Sequence, residues 1–270
     1  MIGNVVQHRR RVLPLGAALV AVLAVLAACG SGGSGGAGGA GGSGGKAAAQ
    51  RTITVSAAAS LTGTFTSLAH QFEASHQNVK VSLNFGGSAQ LAQQIVSGAP
   101  VDVFASASQA TMDQVATANK ATGKPTVFVR NVLEIAVPPG NPAKIKGIAD
   151  FGRDPLRLAV CLPKVPCGAA AQKIFTLTHV RARPDTFEDD VKGVLTKVEL
   201  GEADAGLVYR TDVAAAGSKV QGIDFPEAGK VVNSYPIVAV SDSVDAAQFI
   251  AFVLSNTGRS VMSKAGFQQP

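Results

Sequence analysis

Ala57-Ala58-Ala59-Ser60-Leu61-Thr62 joins two different patterns, and the rest of the chain is read from it. Ahead of it, Thr52-Ile53-Thr54-Val55 alternates polar and apolar residues, the period of a strand. Behind it, Leu61, Phe65, Leu68 and Phe72 fall at i, i+4, i+7 and i+11 and make one helical face. Ser60 therefore stands where strand gives way to helix. The alanines let a ligand approach the backbone, and the first helical N–H groups and the serine hydroxyl face it together. Such a place suits an anion. Taken alone, Ser60 is an ordinary helix cap, but the same arrangement returns further along.

Val79, Val81, Leu83 and Phe85 alternate with Lys80, Ser82 and Asn84, a second strand. Gly86-Gly87-Ser88 follows, then Leu91, Ala92 and Ile95 at helical spacing, stopped by Gly98-Ala99-Pro100. Val101-Asp102-Val103-Phe104 is a short buried strand, with a helix expected over 109–118. Three strand–turn–helix units in succession predict an α/β fold, a mostly parallel sheet flanked by helices. Beyond them, strands are expected at 127–129, 132–137, 156–160, 205–209, 231–233 and 236–240. Helices are expected at 169–178, 190–200, 246–257 and 260–265.

The first fifty residues read differently. His8-Arg9-Arg10-Arg11 is a basic start, and an apolar run from Val12 to Ala28 ends in Leu26-Ala27-Ala28-Cys29. This is the form of a secretory signal, residues 1–28. The tetrapeptide ending in Cys29 resembles the bacterial lipobox, which implies a lipid on the Cys29 thiol and cleavage before it. A plain membrane anchor is the alternative, for which the apolar run is short. Residues 30–45 contain only Gly, Ser and Ala, eleven of the sixteen being Gly, so 29–50 is a lipidated cysteine and flexible tether. Removing the signal takes away three arginines and no acids, leaving a net charge of 24 − 3 − 18 = +3. With no Lys/Arg-rich block, nothing supports nucleic-acid binding.

Three motifs in order carry a resemblance: the Ser60 stretch, Gly98-Ala99-Pro100-Val101-Asp102-Val103-Phe104-Ala105-Ser106-Ala107, and Gly206-Leu207-Val208-Tyr209-Arg210-Thr211-Asp212. Together they resemble the molybdate-binding proteins of ABC transporters, from about Arg51 to the end, where Ala265-Gly266-Phe267 also fits. The resemblance implies a two-lobed periplasmic-binding-protein fold of the second type. Lobe one would be 51–132 plus 236–270, lobe two 133–235, with the ligand in the cleft between them. It implies an exported protein on the outer face of the cytoplasmic membrane, delivering molybdate or tungstate to a permease. It implies a monomer without cofactor or catalysis, in which molybdenum is held only as its oxyanion.

By motif, Ser60 and Ser88 would supply hydroxyl and backbone N–H groups from lobe one. Cys167, within Val165-Pro166-Cys167-Gly168, and Val191, after Glu188-Asp189-Asp190, would supply backbone N–H groups from lobe two, and Tyr209 a phenol. Two departures stand out: Gly86-Gly87 before Ser88 in place of small or hydroxyl residues, and Cys167 in place of alanine. The chemistry is sound without the family. A tetrahedral dianion only accepts hydrogen bonds, and neutral donors at several helix starts can satisfy it without lysine or arginine. A protonated anion such as hydrogen phosphate needs an acceptor carboxylate, and none of these residues is acidic.

With Cys29 taken by lipid, Cys161 and Cys167 remain, and an oxidising compartment favours a disulfide between them. Two reduced thiols packed as small hydrophobes are the alternative. Other functions have less support. A Ser-His-Asp hydrolase lacks a suitable histidine motif among His70, His76 and His179, and no Walker sequence or zinc spacing occurs. Ferric sites use tyrosine clusters, whereas Tyr209 and Tyr235 stand apart in the sequence. Sulfate is the serious rival ligand, having the charge and shape of molybdate.

Overall fold

The computed structural model describes residues 49–270. The signal at 1–28, the lipid site Cys29 and the tether as far as residue 48 lie outside the described residues.

Strand β1 (Arg51–Ala58) continues through the alanines, and a 3-10 turn at Ala59–Leu61 hands the chain to helix α1 (Thr62–Ser75). The predicted face of α1 is the buried one, with Leu61, Phe65, Leu68 and Phe72 all shielded from solvent. β2 (Val79–Gly86) pairs with β1 in parallel along its whole length. Helix α2 (Ser88–Val96), strand β3 (Val103–Ala105) and helix α3 (Gln109–Thr117) complete the repeated units, with β3 parallel to β1 on its other side.

β4 (Thr126–Val137) is one continuous strand where the sequence suggested two. The polar residue between the two apolar runs is satisfied internally: Asn131 donates to Thr211 Oγ1 at 2.8 Å and accepts from the Val132 N–H at 3.0 Å. Next come β5 (Leu158–Cys161), α4 (Pro166–Thr178), β6 (Thr186–Glu188), α5 (Val191–Glu199), β7 (Ala205–Tyr209), α6 (Arg210–Ala216) and β8 (Gln221–Ile223). β6, α6 and β8 are short and lack clear periodicity, so the sequence pattern did not announce them. β9 (Val232–Ala239) is again one strand where two were expected, running through Pro236. Proline cannot donate to a ladder, and the β4–β9 register slips beside it, between Val127 and Val129. Helices α7 (Val244–Leu254) and α8 (Asn256–Lys264) close the chain.

The strands lie in the order β2-β1-β3-β9-β4-β7-β5-β6, with β8 also paired to β4. Two parallel trios, β2-β1-β3 and β6-β5-β7, sit at the ends. Every pairing that involves β4 or β9 is antiparallel. The expectation of mostly parallel sheets therefore holds for the trios and is corrected to a mixed sheet by these two central strands. β4 pairs with β9 through Val132 and with β7 from Leu133 onward.

Two large cores follow from this. One gathers Ile53, Val55, Phe65, Phe72, Phe128, Tyr235 and Phe249 from both ends of the described chain. The other gathers Leu133, Ile135, Phe151, Val160, Ile174, Val194 and Tyr209 from its middle, and takes in Ala89 from α2. A smaller cluster under α2 and α3 includes Leu91, Ile95, Phe104 and Met112. Cys161 at the end of β5 and Cys167 in the first turn of α4 are joined by a disulfide, their Cα atoms 5.7 Å apart.

Phe249 anchors the first core. It meets Phe72 edge-on at 5.3 Å and Phe65 at 6.1 Å between ring centroids. Phe249→Ala should therefore cost about 3–5 kcal/mol, the usual range for emptying an aromatic site in a core. Chemical denaturation of the two proteins side by side checks this; a loss under about 1 kcal/mol would mean the site collapses or is poorly packed.

Candidate oxyanion site

Ser60, Ser88, Cys167, Val191 and Tyr209 all line one small cavity, together with Ala58, Ala59, Ala107 and Asp190. The cavity has room, about 10 Å³, for the centre of a water-sized sphere. No lysine or arginine is on its wall. Residues widely separated in sequence meet here because β1, β2 and β7 end at it and α2, α4 and α5 begin at it.

Each candidate donor is set by a specific local arrangement. Ser60 is not a helix cap: it lies within the 3-10 turn, and its Oγ is 3.0 Å from Tyr235 Oη. Ser88 opens α2, and its Oγ accepts from the Ala107 N–H at 3.0 Å. A hydroxyl that accepts from a backbone N–H keeps its own hydrogen for another acceptor. Tyr209 is held likewise, its Oη accepting from Asn233 Nδ2 at 3.1 Å. The same Asn233 amide donates to the Ala107 carbonyl at 3.0 Å, tying the Tyr209 and Ser88 supports together.

The two backbone donors follow from helix-start chemistry. The first N–H groups of a helix have no intrahelical partner. In α4, Pro166 occupies the first turn and has no N–H, so Cys167 carries the leading donor. In α5, Asp190 is the cap; its Oδ1 accepts from Lys192 N–H at 2.8 Å and Gly193 N–H at 3.1 Å. Neither bond uses the Val191 N–H, which is left at the cavity.

Burial controls the protonation of the phenols. Tyr209 and Tyr235 are 1% and 0% exposed. Burial, reinforced by each other and by Asp212, holds the Tyr209 phenol well above its ordinary value. Burial does the same to Tyr235, with the hydrogen bond to Ser60 opposing it. Both therefore remain protonated donors at neutral pH. Asp212, buried beneath them, accepts the Tyr209 backbone N–H at 3.2 Å. Burial raises its pKa, against the pull of Lys192, whose Nζ lies 2.8 Å from Oδ1.

Two sequence expectations need correction. Tyr209 and Tyr235 do not stand apart: their ring centroids are 5.9 Å apart. Tyr209 pairs opposite Leu133 and Tyr235 opposite Val129, so the two flank β4 on neighbouring strands. They are nonetheless a poor ferric site, because iron needs phenolates and burial opposes their formation. Among the described residues no group of three His, Cys, Asp or Glu side chains is gathered to hold a metal. Second, an acidic residue, Asp190, is among those lining the cavity, with its Oδ1 committed to two N–H groups. Sequence reasoning also missed Asn233 and Tyr235 as supports. Tyr235 could have been suspected, being one of only two tyrosines in the chain.

The comparisons agree with this architecture. Residues 53–268 match a family model described as bacterial extracellular solute-binding protein. A relative from Mycobacterium tuberculosis, named molybdate-binding protein ModA, is 44% identical over 223 residues, 82% of this chain and 85% of the relative. The substrate-binding domain of a putative molybdenum ABC transporter from Clostridium difficile superposes with a TM-score of 0.61 at 28% identity, covering 82% of this chain and all (100%) of that one. The periplasmic molybdate-binding protein of Azotobacter vinelandii has the same fold, with a TM-score of 0.70 at 22% identity over 81% of this chain and 99% of that chain. With four-fifths of its length matched by the family model and a relative of this similarity, the chain belongs to the bacterial extracellular solute-binding proteins.

Proposed function

We propose that this protein captures molybdate, and tungstate equally, and delivers it to the permease of an ABC transporter. The observation that carries the reading is one small cavity walled by uncharged donors, Ser60, Ser88, Cys167, Val191 and Tyr209, with no cation among them. Two hydroxyls would come from lobe one, with two N–H groups and a phenol from lobe two. The names of the relatives, molybdate-binding at 44% identity and a molybdenum transporter domain at 28%, support the same ligand. We read the protein as a carrier and not an enzyme, a monomer held outside the cytoplasmic membrane by lipid on Cys29.

Sulfate has the charge of molybdate, so size must separate them. Backbone donors fixed by helix starts cannot shrink around a smaller ion, and sulfate would leave some of them stretched. Each unpaired buried donor costs about 1–3 kcal/mol, so two give on the order of a hundredfold or more. Hydrogen phosphate needs an acceptor for its proton, and Asp190, whose Oδ1 already serves two N–H groups, would have to supply it through Oδ2.

Calorimetric titration of the purified protein should rank molybdate and tungstate together, far above sulfate and phosphate. Ser60→Ala, Ser88→Ala and Tyr209→Phe should each weaken both large anions by roughly ten- to a hundredfold, the loss of one hydrogen bond to a charge. Melting of the ligand-free variants separates this from stability, since Ser88→Ala also leaves the Ala107 N–H unpaired. A wild-type preference for sulfate, or variants that bind as well as wild type, would refute the site.

For the anchor, Cys29→Ala should abolish labelling by a radioactive fatty acid and leave the precursor unprocessed in cells. Labelling and processing that survive the substitution would exclude it.

A further inference from the structure

Gly87 is the cap residue of α2, the turn that presents Ser88. Its backbone, φ −61° and ψ 126°, is extended and open to any residue, so conformation does not demand glycine here. Space does. A Cβ at this position would lie 2.3 Å from the carbonyl oxygen of Asp189 and 3.6 Å from Asp190 Cβ. Asp189 and Asp190 belong to the turn that opens α5 and presents Val191. The obstacle is backbone, which cannot swing aside as a side-chain tip can. The preceding glycine differs: a Cβ on Gly86 would only touch Leu91 Cδ2 at 3.6 Å, an ordinary contact.

This contact lies across the cleft. Gly87 follows β2 in one parallel trio and Asp189 follows β6 in the other, and close by Ala89 of α2 is already packed into the second core. From these observations we infer that Gly87 sets how closely the two halves of the site approach, and so the size of the oxyanion cage. The inference rests on the proposed function and adds a residue that touches no anion but positions the donors that do. To bring the clash from 2.3 Å out to an ordinary 3.4 Å contact, the Ser88 and Val191 walls must part by about 1 Å. Hydrogen bonds of about 2.9 Å stretched that far fall outside bonding geometry. The departure of Gly86-Gly87 from the small or hydroxyl residues expected there thereby gains a physical role at its second position.

The test compares wild type, Gly87→Ala and, as a glycine-to-alanine control in open space on α1, Gly63→Ala. Molybdate and sulfate are titrated by calorimetry, and small-angle scattering is recorded with and without saturating molybdate. Gly87→Ala should bind molybdate at least about tenfold more weakly and contract less on binding, with ligand-free melting unchanged, since the proposal has the two walls close fully only around the anion. Gly63→Ala should bind and contract as wild type. Gly87→Ala with wild-type affinity and contraction overturns the inference, as does a lowered ligand-free melting temperature, which would make the glycine a requirement of folding. A wild-type protein that binds neither anion overturns the proposed function itself, and this inference with it.

Discussion

Strand β4 is shared between two sheets, and the rest of the molecule is arranged around that sharing. Its first half pairs with β9 and its second with β7, so the same backbone ladder belongs to both halves of the protein. A strand cannot leave one sheet for another without leaving amide groups unpaired unless a new partner is waiting. Here β7 begins pairing at Leu133, immediately after β9 stops at Val132. Tyr235 of β9 and Tyr209 of β7 meet where the partners change, their ring centroids 5.9 Å apart.

The cavity then works by division of labour. The candidate donors at its wall are neutral, and four of the five are held by a partner further back: Tyr235 behind Ser60, Ala107 behind Ser88, Asn233 behind Tyr209, Asp190 behind the start of α5 and so Val191. Fixing a donor before the ligand arrives removes an ordering cost from binding. In the proposed site, the charge of an anion would be met by aligned peptide dipoles at helix starts, with no lysine or arginine on the wall. Such a site can release its ligand without breaking a buried ion pair.

That the five candidate donors belong to one cavity was legible in the sequence, but their supports were not. Ser60, Ser88, Cys167, Val191 and Tyr209 sit at strand ends and helix starts, where local pattern and family motif both speak. Asn131, Asn233 and Tyr235 matter through contacts with residues far along the chain, such as the Asn131 bond to Thr211, and no local period encodes those. The same limit explains the strands. Polar Asn131 and Pro236 read as breaks, because the hydrogen bond that buries one and the register slip that accommodates the other are tertiary facts. Gly87 was noticed only as a departure. Its reason, the carbonyl of Asp189, comes from the opposite side of the cleft.

One of the two large cores is assembled from both ends of the described chain. β1 leads it and α7 with α8 finishes it, and Arg51 clasps Asp245 at 2.6 Å across 194 residues of sequence. The other core is nearly contiguous. Loop-closure entropy makes distant ends slow to meet, whereas a contiguous segment can collapse as soon as it is available. For a chain made from its N-terminus onward, this imposes an order of events. β1 can pair early with β2 and β3, but its apolar face waits for a helix pair that comes last, while the middle of the chain already has everything it needs to bury its own apolar surface.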